Sequence, residues 1–218
     1  MDYVISDLHL GDKGVVNFER REFATIEEHD AHLIHMWNST VVNKDDTVYF
    51  LGDLYDNGRD HGGREYLKSI VQKLRGHKIL IKGNHDNFKD KDYLEMGFEQ
   101  VITGPYFYKP YLILSHEPCH EAFNNPYVWN VHGHLHNATL ELENYKCVSA
   151  KHINYKPMKL TKFAEQIQPK VRKRKERFME EWYYPYYNFM KYELQYDDNG
   201  RVDTVKTLQM AIPKRTLF

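Results

Sequence analysis

Five short apolar runs, each closed by a small cluster of Asp, His and Gly, constrain this chain more than any other feature. YVI (3–5) leads into SDLHLGD (6–12), and TVYFL (47–51) leads into Gly52-Asp53. KILIK (78–82) is followed by GNHD (83–86), YLIL (111–114) by Ser115-His116, and VWNVH (128–132) by GHLH (133–136). Apolar runs this short, bounded by turn residues, read as buried strands. Helical periodicity separates the first three. Residues 25–41 open on Thr25 with Glu28 three positions on, which resembles a capping box, and carry Leu33, Ile34, Trp37 and Val41 as one stripe. Residues 63–74 place Tyr66, Ile70, Val71 and Leu74 on one face, and a short helix is expected at 90–96. Strand, helix, strand, helix, strand predicts βαβ units and a parallel sheet. The next stretch predicts strands at 98–102, 111–115, 127–132, 138–142 and 146–149, with little helix. The expected class is therefore α/β, a four-layer β-sandwich: two sheets face to face, flanked by helices.

The length of 218 residues suits one large domain, or a smaller one with an appendage. Composition favours the second. Residues 1–168 hold 19 Lys+Arg against 24 Asp+Glu, whereas 169–218 hold 11 against 7. The later segment opens with KVRKRKERF, runs through WYYPYYNFMKY, and offers two strand-like runs (192–196 and 202–208) around Asp198-Asn199-Gly200, a strong turn signal. The expected organisation is a domain over 1–168 and a basic, aromatic helix-plus-hairpin appendage over 169–218. The net charge of −1 gives no bulk attraction to nucleic acid or membrane. Cys119 and Cys147 do not make a disulfide framework and read as free thiols in a reducing compartment. No run of about 18 apolar residues could span a bilayer. With no leader expected before the first strand, the cytoplasm is the expected location.

In an open α/β sheet the ligand crevice lies beyond the carboxyl ends of the strands. The five strand ends would deliver Asp7, His9, Asp53, Asn84, His116, His134 and His136 to one edge. Asp-x-His alone says little, since a capping Asp beside an incidental His gives the same letters; the downstream partners decide. Seven O/N donors exceed what one ion needs, and no thiolate is among them. The inventory suits two hard or borderline divalent ions, Mn foremost, with Fe, Zn, Ni or Mg as alternatives. One carboxylate could bridge ions about 3.5–4 Å apart. Gly52, Gly83 and Gly133 fit tight turns with close backbone approach.

The ordered series Asp-x-His, Gly-Asp, Gly-Asn-His-Asp, His, Gly-His-x-His closely resembles the calcineurin-like metallophosphoesterases. It is most similar to their small, stand-alone bacterial and phage members, over about residues 2–165. The resemblance implies the metallophosphoesterase fold and hydrolysis of a phosphoester by in-line attack of a metal-bound hydroxide. It implies that Asp7, His9 and His136 hold one ion, that Asn84, His116 and His134 hold the other, and that Asp53 bridges. His85 would protonate the leaving alkoxide, with Asp56 orienting it, while Asp86 would be structural. One departure bears on the substrate. The superfamily's protein phosphatases carry an Arg after the Asp aligned with Asp56, and this chain has Asn57 there. A phosphomonoester dianion has more charge to neutralise than a diester, so phosphodiesters (nucleotides, cyclic nucleotides or nucleic acid ends) are favoured over phosphoproteins. Asn84, and Arg59 from the same loop as Asp56, are the expected substrate contacts.

Several residues have plainer readings. His132 fits a strand residue, not a ligand. His29, His32 and His35 fit a polar helix face, and Arg20-Arg21 fit a solvated surface pair. The KVRKRKER run fits a solvated helix face, since Glu176, Glu180 and Glu181 offer i,i+4-type partners. Its sharper reading is a nucleic-acid patch, which would make the chain a nuclease docking its substrate through the basic tail. The aromatic run fits packing on the core or on a second copy of the chain, as in a homodimer. A non-catalytic scaffold is the remaining alternative, but such a chain should show gaps in the ligand set, and none is present.

Overall fold

The computed structural model describes residues 1–19, 21–55 and 63–183. In chain order the elements are β1 (Asp2–Ile5), α1 (Lys13–Phe18), α2 (Ile26–Thr40), β2 (Thr47–Phe50), α3 (Gly63–Val71), β3 (His77–Ile81), α4 (Asp90–Met96) and β4 (Gln100–Ile102). There follow β5 (Tyr106–Lys109), β6 (Leu112–Ser115), α5 (His120–Asn124), β7 (Trp129–His132), β8 (Tyr145–Cys147), β9 (Met158–Lys159) and α6 (Leu160–Phe178). One sheet has the order β4-β3-β2-β1-β9 and the other β5-β6-β7-β8. The first four strands of the larger sheet run parallel, with β9 antiparallel at its edge, and β6, β7 and β8 are parallel to one another.

Strand alternation sorts the core. Tyr3, Ile5, Val48, Phe50 and Leu80 turn to one face and pack with Leu33, Trp37, Leu67, Ile70 and Val71 of the helices. Val4, Tyr49, Leu51 and Ile81 turn to the other and meet Leu112, Leu114, Trp129 and Val131 of the second sheet. Ile113 and Val128 face outward from that sheet to Ala122 of α5. The layers are helix, sheet, sheet and helix, as the alternation predicts.

The N-terminus of α2 bears out half of the capping box: Thr25 Oγ1 accepts from the Glu28 N–H at 3.2 Å, whereas Glu28 Oε2 accepts at 3.1 Å from the N–H of Ala24, one residue before the cap. Register then aligns the strand ends. Ile5 lies opposite Phe50, Phe50 opposite Leu80, and Ser115 opposite His132. An isolated parallel bridge, Ser6 to Ser149, joins the end of β1 to the chain just past β8 and so ties the two sheets together at this edge.

One expected strand is absent, and several elements are unexpected. No strand forms at 138–142; that segment is exposed loop. Strand β5 and the short helices α1 and α5 carry too little periodicity to be read in advance. Helix α6 runs unbroken through Pro169, past the composition shift, and the chain's contacts group Met1–Val171 as one unit and 172–218 as a second. The expected hairpin, and the aromatic run from residue 184 on, lie outside the described residues. Among the described residues no helix is long and apolar enough to cross a membrane.

Candidate metal centre

The aligned strand ends bring six of the seven expected ligand residues into two groups that share one carboxylate. Asp7, His9, Asp53 and His136 form the first; Asp53, His116 and His134 form the second. Within each group the potential ligand atoms lie within 4.8 Å of one another. Asn84, the seventh, joins the second group: its Oδ1 is 2.9 Å from His116 Nε2 and 3.0 Å from His134 Nδ1.

The backbone shows how side chains from successive turns converge. Asp7, His9, Asp53, His134 and His136 have φ of 56, 49, 56, 66 and 48°, all left-handed. Among the described residues only Asn154 and Tyr155 are other non-glycines in that region. A left-handed residue costs roughly 1–2 kcal/mol, and such strain concentrates at functional sites. Hydrogen bonds hold these turns. The Asp53 N–H donates to Asp86 Oδ2 at 2.8 Å, and Asp86 also accepts from the N–H groups of Leu54 and Gly83, so this carboxylate organises the turn. Asp53 Oδ1 accepts from the His85 N–H at 3.0 Å. Asp7 Oδ2 accepts from Ser149 Oγ at 2.8 Å and from Ser6 Oγ, and the His134 N–H points at the same carboxylate.

The electrostatics fit a cation. Both nitrogens of His9 and the Oδ2 of Asp53 are buried without a hydrogen bond, a costly state that a bound ion would relieve. Burial depresses His9 to about 3 despite the attraction of Asp53, so its imidazole is neutral and its lone pair available. Burial opposes charge on His116 as well, yet Asp53, its Oδ2 3.3 Å from His116 Nε2, and Asp7 raise it to about 9. In turn burial pushes the Asp53 carboxyl up, but His116 outweighs it and holds it at about 2. His116 Nδ1 is fixed by the Leu51 carbonyl at 2.8 Å, which turns Nε2 into the cluster.

The sequence matches the calcineurin-like phosphoesterase family over residues 3–204. The chain belongs to this family. It is 32% identical over 167 residues to an uncharacterized protein of Methanocaldococcus jannaschii, covering 72% of this chain and 86% of that one. It is 34% identical over 160 residues to the gene 66 protein of Mycobacterium phage L5, covering 60% and 75%. A solved protein of unknown function from Aquifex aeolicus superposes with a TM-score of 0.58 at 25% identity, over 77% of this chain and 99% of that one.

Other expected site residues are placed less completely. The His85 ring lies beside the cluster, its centroid 5.7 Å from that of His9. Asp56 and Arg59 lie outside the described residues, as does Arg20. His132 is buried at the end of β7, with Nδ1 2.9 Å from the Gly133 carbonyl oxygen. Two readings need correction. Arg21 is no surface residue: it is 4% exposed, and its guanidinium reaches the Asp7 and Leu8 carbonyls. His29 is fully buried against Arg21 and Asp30, not part of a polar face. Sequence reading missed Glu19, Ser6 and Ser149. Ser6 adjoins Asp7, but Glu19 meets the site only through space, 117 positions from His136.

Gly133 gives a sharp local test. A Cβ there would lie 1.7 Å from Ser6 Oγ and 2.4 Å from Asp7 Oδ2. Gly133→Ala must push the Asp7 carboxylate aside. The expected result is a loss of about 1–3 kcal/mol in stability from overpacking, with activity falling about 10²-fold, the usual cost of a ~1 Å misplacement. Elemental analysis should find fewer ions per folded chain than in the wild type; an unchanged ion count at unchanged stability would contradict this account.

Proposed function

We propose that this chain is a hydrolase that uses two divalent ions to cleave phosphodiesters. The carrying observation is the membership of Asp53 in both groups. One fully buried carboxylate common to two donor sets is what a bridged pair of ions requires. In this reading Asp7, His9 and His136 complete the first site, and Asn84, His116 and His134 the second. The donors are oxygen and imidazole nitrogen, which suits Mn first among the divalent ions, with Fe, Zn, Ni or Mg as alternatives. Bound ions would supply a water activated for attack on phosphorus and positive charge for the developing oxyanion.

The chain's own residues do the rest. Asp53 Oδ1 holds the His85 backbone at 3.0 Å, so the ring is presented beside the cluster, where it can give a proton to the leaving alkoxide. Asp56 would orient that ring. Asn57, standing where an Arg would grip a monoester dianion, supports a diester. An open cleft of about 390 Å³, lined by Asn84, His116, Lys82, Glu117 and His120, has room for a nucleoside-sized group beside the phosphate. His120 stacks on Phe123, ring centroids 5.7 Å apart and 16° from parallel, and Phe123 is 64% exposed. An exposed aromatic pair of this kind can receive a base, which supports nucleotides or nucleic acid ends as substrates. Little supports docking through the basic helix: Arg172 pairs with Glu176 and Arg177 with Glu181 along the helix itself.

The test varies the leaving group. Purified protein is assayed with a p-nitrophenyl diester and an alkyl diester, with Mn, Ni, Zn and Mg added singly. A nitrophenolate leaves without a proton, whereas an alkoxide needs one. His85→Ala should therefore leave the first rate nearly intact and reduce the second by about 10²–10⁴-fold. Equal losses on both substrates would remove His85 from the acid role. No metal-dependent turnover, with fewer than two ions bound per chain, would leave the scaffold reading.

A further inference from the structure

The loop after α1 carries two buried charged residues that touch two of the three strand ends supplying the first donor group. Glu19 and Arg21 have side chains 1% and 0% exposed, and Arg21 Nε donates to Glu19 Oε2 at 2.8 Å. The other Glu19 oxygen, Oε1, accepts from His136 Nδ1. Arg21 Nη2 donates to the Asp7 carbonyl at 2.8 Å and Nη1 to the Leu8 carbonyl at 3.0 Å. One ion pair therefore grips the turn that carries Asp7 and His9, and also the imidazole of His136, 117 positions further along the chain.

Donor logic fixes the direction of every bond. A guanidinium has no acceptor. His29 Nε2, 2.6 Å from Arg21 Nη1, must accept, so the His29 proton sits on Nδ1 and is donated to Asp30 Oδ1 at 2.8 Å. Asp30 Oδ2 in turn accepts from the Gly11 N–H at 2.8 Å and from the Tyr66 hydroxyl at 2.6 Å. Glu19 is acceptor-only, so the His136 proton sits on Nδ1, and Nε2 is turned toward Asp7 Oδ1, 4.0 Å away. A carboxylate behind a ligand imidazole fixes its tautomer and orientation. The turn that Arg21 holds contains two of the left-handed residues, Asp7 and His9, whose conformation needs outside support. In the second group His116 is backed by a neutral backbone carbonyl, that of Leu51, at 2.8 Å.

We propose that Glu19 and Arg21 are positioning residues that pre-form the Asp7–His9–Asp53–His136 group and give it the tighter ion affinity of the two. The proposal rests on reading the cluster as a two-ion centre. Manganese is titrated into the metal-free full chain by calorimetry, with the ion count checked by elemental analysis. The wild type should bind two ions in two steps. Glu19→Leu with Arg21→Met removes both charges together and leaves neither one buried alone. Its tight step should weaken about 10–100-fold, with the weaker step unchanged. Glu19→Gln with Arg21→Met returns an acceptor to His136 and should recover part of that loss, the remainder being the share of Arg21. Wild-type binding by the Leu/Met pair, or no recovery by the Gln/Met pair, overturns the proposal. Fewer than two ions on the wild type overturns the two-ion reading instead. Nitrogen NMR of the metal-free wild type needs no variant: the His136 proton should reside on Nδ1, and a proton on Nε2 alone overturns the proposal whatever the variants do.

Discussion

Asp53→Asn should abolish metal-dependent hydrolysis while leaving a folded protein. Asparagine matches the shape of the aspartate, and the turn hydrogen bond from the residue 53 N–H to Asp86 Oδ2, 2.8 Å, does not involve the altered side chain. What disappears is the charge that both donor groups share. Several kcal/mol of the stabilisation supplied by correctly placed ions should go with it, and ~4 kcal/mol corresponds to a rate loss of about 10³-fold. Initial rates on a diester with saturating manganese check this, together with the ion count per chain. A variant within tenfold of the wild type, still holding two ions, would remove Asp53 from the bridging role and with it the main support for the proposed chemistry.

The second large effect is thermal. His9 is buried with neither ring nitrogen hydrogen-bonded to the protein, Asp53 Oδ2 likewise, and five site residues are left-handed, costs that bound ions would offset. A ligand that binds only the folded state at 100 times its Kd adds about 2.7 kcal/mol per site. Two sites would add about 5 kcal/mol, and at roughly 2–4 °C per kcal/mol for a domain of this size the melting temperature should rise by about 10–20 °C. A chelator should reverse the shift. Calorimetric scans with manganese and with a chelator decide it, and coincident scans would show that the cluster does not bind ions tightly.

Much of this was readable from the chain because the informative residues sit one or two positions past short apolar strands. Where the strand is certain, its end is certain, and parallel register carries all such ends to one edge. That logic located Asp7, His9, Asp53, Asn84, His116, His134 and His136 as neighbours. It could not show the left-handed turns, since nothing in the letters Asp or His demands positive φ. It failed at 138–142, where ATLEL alternates like a strand but finds no partner; Leu140 and Leu142 stay 38% and 40% exposed. It missed the burial of Arg21 because an Arg-Arg pair in a loop looks solvated, and only the folded chain brings Glu19, His29 and the Asp7 carbonyl around it.

The bridge between Ser6 and Ser149 has a kinetic consequence. The Ser6 N–H donates to the Val148 carbonyl at 3.1 Å, and the Ala150 N–H to the Ser6 carbonyl at 2.9 Å, so the chain's first strand closes against a segment more than half its length away. Contacts that distant form late, after the loop-closure entropy between them has been overcome. An ion pocket assembled across that seam is therefore expected to form after the folding transition state. Ions should then leave the folding rate nearly unchanged and lower the unfolding rate, so that a loaded molecule is long-lived once made but no faster to make.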